Sequence, residues 1–314
     1  MAAAMKTIRR AFLAFFRSYP AFAGTAALLS FPFSAASLLA HSLGRSSPAL
    51  LRPVSSRLGL LFHATGFPPS HLFTLLHSRL SLSIFASAAT LPFDLTFLVL
   101  AQAAVVRVIY RRPTSTPSLF SLRRLYPALA LTHLRNALFV LAANAAVLSI
   151  LCLAFNALAT LRLSTGAAIL AVSASGVILY SFSVASASAA CNLATVISAS
   201  EGGAGWRALR EALAVVRGRT ATAVALSLPA SLGTAAIEAL FRCRVAAARP
   251  CQAQVVWEAL VIIYMRSLLL VLDTIIACVF INECSSGCSS FWSKDGGPFS
   301  CAVDRMESED KVQV

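Results

Sequence analysis

Between Asp94 and Glu201 the chain carries no acidic side chain at all. That gap constrains the fold more than any motif, because a globule in water needs charges over its surface, about a quarter of its residues. Here Asp, Glu, Lys and Arg make up 12% of 314 residues and hydrophobic residues 58%, with a mean hydropathy of +0.78. Too little polar surface remains to cover a water-soluble domain. The sequence is that of an integral membrane protein.

Six runs are long and apolar enough to cross a bilayer, which takes about 20 helical residues. They cover approximately 20–43, 82–106, 134–158, 167–200, 220–240 and 255–280. Each must be helical, because an open strand edge in hydrocarbon leaves backbone amides unpaired at several kcal/mol each. A closed barrel needs short alternating segments, whereas these runs are apolar on every face. The predicted fold is all-α: an amphipathic N-terminus over 1–19, a six-helix membrane domain over 20–283 and a disordered tail over 284–314. That tail turns polar and ends in the acidic run Glu307 to Asp310.

The net charge is +14, from 26 Lys and Arg against 12 Asp and Glu. In a soluble protein such an excess points to nucleic acid. Here the basic residues cluster between apolar runs, where topology and anionic headgroups use them; a lipid bilayer, and no nucleic acid, is the expected partner. Assigning the segments alternately puts fifteen Lys and Arg on the side of both termini and eight on the other, which places both termini in the cytosol. In the N-terminal stretch, Ile8, Phe12, Phe15, Phe16 and Tyr19 share a helical face opposite Lys6, Arg10 and Arg17, as in an interfacial helix. Residues 1–93 contain no acid, so the same stretch also resembles a targeting peptide. An endomembrane or the plasma membrane is the expected location, with a plastid or mitochondrial membrane the alternative.

Between spans four and five, Trp206, Leu209, Leu213 and Val216 recur at helical spacing, with Arg207, Arg210, Glu211 and Arg217 elsewhere. Gly202 and Gly203 open this segment and Gly218 closes it, as a C-terminal glycine does. An interfacial amphipathic helix is predicted, its stripe dipping into lipid or the bundle. Small residues crowd span four at Ser173 to Gly176 and again from Ala185 to Ala190. They mark a packing face within the monomer or between copies of a homo-oligomer.

Ionisable groups inside spans are costly and are the candidates for function. Asp94, Arg266 and Asp273 are those groups here. Arg266 and Asp273 share nearly one face, two turns and about 10 Å apart, so each is expected to meet a neighbouring helix. Arg135 and Arg266 are the candidate partners of Asp94, and Glu238 lies near the non-cytosolic end of span five. Cys243 and Cys251 are a candidate disulfide across one loop, and Cys284 and Cys288 are juxtamembrane candidates for palmitoylation. The five His are isolated, and no Walker loop, zincin helix, nucleophile elbow or dinucleotide fingerprint occurs. No enzyme activity, metal or cofactor is expected.

The run Asn192 to Glu201, followed by Gly205, Ala208, Ala212 and Val216 to Arg219, resembles a family of plant multi-pass membrane proteins. The segment ending Val106 to Tyr110, the linker Ser121 to Phe139 and the ending Cys278 to Cys284 resemble it as well, so that the similarity covers roughly residues 80–284. Some members are loosely labelled polyadenylate-binding-protein-binding proteins. The resemblance implies a six-helix membrane fold and carries over no catalytic residue. The expected role is structural, as a scaffold or trafficking component with protein partners at the cytosolic loops; the alternative is a transporter or channel for a small solute. With a tag at each end, protease added outside intact endomembrane vesicles is expected to remove both tags from one alkali-resistant protein. Protection of either tag would overturn the topology.

Overall fold

The computed structural model describes residues 2–64, 71–110, 119–161, 166–201, 205–246 and 253–286, and helix is the regular structure found among them. Helix α1 (Ala2–Arg17) precedes a first span made of α2 (Tyr19–Thr25), a π-helical turn at Ala26–Ser30 and α3 (Phe31–Ser46). Next come α4 (Pro48–Ala64), α5 (His71–Phe93), a second π-helical turn at Asp94–Leu98 and α6 (Val99–Tyr110). A long hairpin follows, α7 (Leu119–Thr160) and α8 (Gly166–Glu201). The short α9 (Trp206–Gly218) leads into α10 (Thr220–Phe241), extended by a π-helical turn at Arg242–Ala246, and then α11 (Ala253–Ser286).

Six helical stretches are long and apolar enough to cross a membrane: Tyr19–Ser46, Leu80–Tyr110, Tyr126–Leu158, Gly166–Ser200, Thr220–Val245 and Val255–Cys284. Each contains one of the runs expected from sequence and extends beyond it at one end or both. The Ser- and Pro-rich arm after span one is helical too, with a ring nitrogen of His77 on α5 lying 2.9 Å from the Ser55 carbonyl on α4. Many Ser and Thr sit inside the spans, where a free hydroxyl would be penalised. They bond back to their own helix instead, as Thr25 does to Ala21 (2.7 Å), Thr90 to Ala86 (2.9 Å) and Ser181 to Val177 (2.8 Å). Both early π-helical turns lie two residues from a proline, Pro32 and Pro92. A proline removes one rung of the ladder, and a widened turn is where such a helix yields.

The last span is the centre of the bundle. Along its most apolar stretch 44% of residues are buried, against 6% for spans three and four. Its second half packs with α1, α6, the near ends of α7 and α8, α9 and α10 around Val271, Ile275, Cys278 and Phe280. Its first half meets α3 and α10 in a smaller cluster of Leu38, Phe241, Ile262 and Ile263. The main core therefore lies toward the end that holds α1 and α9. Beyond Asn136 in α7 and before Ala187 in α8 the hairpin leaves that core, and among the described residues only Val147 and Gly176 are buried there. At Gly176 the two helices approach so closely that a Cβ would meet the Leu151 side chain. Ala187, Ala189 and Ala190 pack inside the monomer, whereas Ala174 and Ser175 face outward.

Both amphipathic helices are rotated from the orientation their apolar stripes imply. On α1 the buried face is Ala4, Thr7, Ala11 and Phe15, while Phe12 and Phe16 stay exposed. On α9 it is Ala208, Leu209, Ala212 and Val216, while Trp206 is exposed. Alanine lets these helices approach the core closely beside Phe15, Leu209 and Val216, and Phe12, Phe16 and Trp206 remain on the exposed side.

The glycines around α9 also exchange roles. Gly202 and Gly203 lie outside the described residues. Gly205 opens the helix at φ +79° and ψ −121°, a conformation closed to side-chain-bearing residues. Its N–H donates to Thr132 Oγ1 at 3.0 Å, and Thr132 is itself 2.9 Å from Ser198 Oγ. The Arg135 guanidinium lies where a Cβ would stand. Gly218 ends the helix without positive φ and with open space around its Cα. Gly205→Ala is therefore expected to lose about 1–3 kcal/mol from backbone strain alone, read as a fall of several degrees in thermal unfolding in detergent. Gly218→Ala should leave the midpoint unchanged or raise it slightly. Equal effects at the two positions would contradict this assignment.

Candidate functional site

The second π-helical turn swings Asp94 toward α7, where Asp94 Oδ2 lies 2.9 Å from His133 Nε2. The pair is partly shielded, with side-chain exposures of 28% and 17%. Arg135, one of the two expected partners, sits two residues further along α7 on a different face and covers Gly205 instead. An isolated histidine thus takes the place given to an arginine. Its spacing to Asp94 carries no sequence signal, because the pairing depends on how spans two and three dock.

Asp273 is half-buried on α11 and accepts a hydrogen bond from Asn192 Nδ2 on α8. The two line a crevice with Ala189, Ala223, Ser227 and Phe280. Its volume is ≈ 20 Å³, room for about one water molecule. The small residues on α8 and α10 make this contact geometrically accessible, since a bulkier wall would hold the helices apart.

Arg266 is 8% exposed, and its Nη2 donates to Ser37 Oγ on α3 at 2.9 Å. Glu238 lies on α10. Its carboxylate takes Arg242 Nη2 at 3.2 Å, one turn further along its own helix, and lies 3.8 Å from His41 Nδ1 on α3. Glu238 is therefore built into a contact between spans one and five.

The structure thus separates the three candidates. Among the described residues no hydrogen bond or ion pair joins any two of Asp94, Arg266 and Asp273; each is held by a different neighbouring helix. Further polar contacts repeat this pattern toward the α1 end. Asn136 Nδ2 reaches the Cys191 carbonyl at 3.0 Å and Thr195 Oγ1 at 3.2 Å across the hairpin base. Tyr110 donates to the Cys278 carbonyl at 3.2 Å. Glu283, near the end of α11, accepts from Thr7 and pairs with Arg10 at 3.0 Å, pinning α1 to the last span. Cys243 is exposed on the π-helical turn after α10, and Cys284 is half-buried near the end of α11. Cys251 and Cys288 lie outside the described residues.

This six-span arrangement coincides with a recognised domain, for the family described as a domain of unknown function, DUF8558, matches residues 22–289. The chain belongs to that family. The DUF8558 match takes in five spans whole and the first from its fourth residue, with Asp94, Arg266, Asp273 and the α9 helix, and it begins after α1. No curated protein and no solved structure matches the chain.

Within the DUF8558 domain the Asn192–Asp273 contact offers a clean energetic test. Removing one partner of a hydrogen bond shielded from water costs up to about 1–3 kcal/mol, whereas replacing both by apolar groups is close to neutral. Asn192→Leu alone should therefore lower the thermal midpoint by several degrees, and adding Asp273→Leu should recover most of that loss. Additive losses in the double variant would show that the two side chains do not act as a pair.

Proposed function

We propose that the protein is a structural component of its membrane, of the scaffold or trafficking kind, rather than a carrier. One observation supports this reading above the others. The three candidate ionisable side chains are taken up singly, each by a different helix pair, Asp94 by His133, Asp273 by Asn192 and Arg266 by Ser37. A carrier gathers such groups around one central chamber. Here they act as ties between helices, and tying the bundle together is what a scaffold asks of them. Both termini and α9 then face the cytosol, the side on which the basic loops concentrate. The proposed address is an endomembrane or the plasma membrane.

The reading is tested on purified full-length protein with Asp94→Asn and Arg266→Gln. Each variant loses charge at one helix contact and is expected to unfold several degrees lower and to accumulate less in cells. Wild-type proteoliposomes under an imposed proton, chloride or potassium gradient are expected to leak no faster than empty liposomes. A wild-type flux abolished by either substitution at unchanged thermal stability would overturn the structural role and favour a carrier.

A further inference from the structure

The same end of the bundle carries two surface helices, and neither uses its whole circumference on the protein. Helix α1 is fixed through Glu283 to the end of span six, and α9 joins the ends of spans four and five. With four crossings between them, both lie on one side of the bilayer.

Each helix divides into sectors with separate destinations. On α1, Ala4, Thr7, Ala11 and Phe15 enter the core. Met5, Phe12 and Phe16, spaced i, i+7 and i+11, remain exposed beside Lys6 and Arg9, and Phe16 is 66% exposed. On α9, Ala208, Leu209, Ala212 and Val216 enter the core. Trp206, Arg210 and Arg217, spaced i, i+4 and i+11, form a single exposed stripe in which Trp206 is 57% exposed.

The charges divide as clearly. Arg10 is paired with Glu283 and Arg207 with Glu211, so these two serve the protein. Lys6, Arg9, Arg210 and Arg217 are exposed and have no ion pair among the described residues. Aromatic rings beside unpaired cations on a helix whose other face is held by protein match the headgroup boundary. Rings settle at the level of the lipid ester groups, and Lys and Arg attract acidic phosphates there.

We propose that α1 and α9 together form a docking surface for anionic phospholipid headgroups, with Lys6, Arg9, Arg210 and Arg217 supplying the recognition. The rings of Phe12, Phe16 and Trp206 set the depth at which those cations meet the phosphates. Holding both helices on the core fixes the cations in place before lipid arrives, which distinguishes this surface from a flexible basic tail.

The test uses full-length protein purified in detergent, stripped of co-purified lipid and offered equimolar phosphatidylserine and phosphatidylcholine of matched chains. Bound lipid is counted by native mass spectrometry, and thermal unfolding is followed with each lipid alone. The wild type is expected to retain phosphatidylserine over phosphatidylcholine by about tenfold, and several times less strongly when salt shortens the screening length. Replacing Lys6, Arg9, Arg210 and Arg217 by Gln should abolish that preference. Arg52→Gln with Arg57→Gln, exposed on α4 after span one, should leave it intact. Equal retention of the two lipids by the wild type would overturn the proposal, and that arm needs no variant to fold. A preference that survives the fourfold substitution would overturn it too.

Discussion

A backbone amide in hydrocarbon has no water to fall back on, and leaving it unpaired costs several kcal/mol. Helix formation answers that demand within each segment, and side-chain chemistry must then follow the same rule. The hydroxyls of Thr25, Thr90 and Ser181 satisfy it locally by bonding to their own helix. Asp94, Asp273 and Arg266 cannot, because a charged group needs a partner beyond its own backbone. Each reaches a neighbour, so polar groups that burden a single helix define where two helices meet.

Those meeting points are unevenly distributed. The main core gathers where α11 ends and α1, α6, α9 and the base of the α7–α8 hairpin close around it. The opposite half is held by a small cluster and by two polar pairs, Arg266 with Ser37 and Glu238 with His41. α1 is bonded to Glu283, and α9 is seated through Gly205 on Thr132. Two short helices without a transmembrane run of their own thereby complete the better packed half of the domain.

The class of fold and the approximate place of every span were legible in the sequence, because apolar length is a property of one segment at a time. The partners of the polar residues were not. Pairing Asp94 with His133 rather than Arg135 depends on the docking angle of two helices, and no one-dimensional spacing encodes it. On α1 and α9 the alanines that share the buried face with Phe15, Leu209 and Val216 were missed for a related reason. Sequence periodicity ranks residues by hydrophobicity, whereas the packed interface chose Ala4, Ala11, Ala208 and Ala212 by size. Gly205 was hidden beside the more conspicuous Gly202 and Gly203. Its role emerges only from φ of +79° and the Arg135 side chain above it.

The hairpin that departs from the core has a mechanical corollary. The apolar stretches of α7 and α8, Tyr126–Leu158 and Gly166–Ser200, have 33 and 35 residues, so they reach about 50 Å and 52 Å at 1.5 Å per residue. The hydrocarbon layer is about 30 Å thick. Hydrophobic mismatch of that size is relieved by leaning or by local thickening of the bilayer. The close approach at Gly176 and Leu151 makes the two helices lean as one body. Their fulcrum is the base, where Asn136 grips Cys191 and Thr132 holds both Ser198 and the amide that starts α9. Bilayer thickness is thus coupled, through a lever of two helices, to the seat of α9.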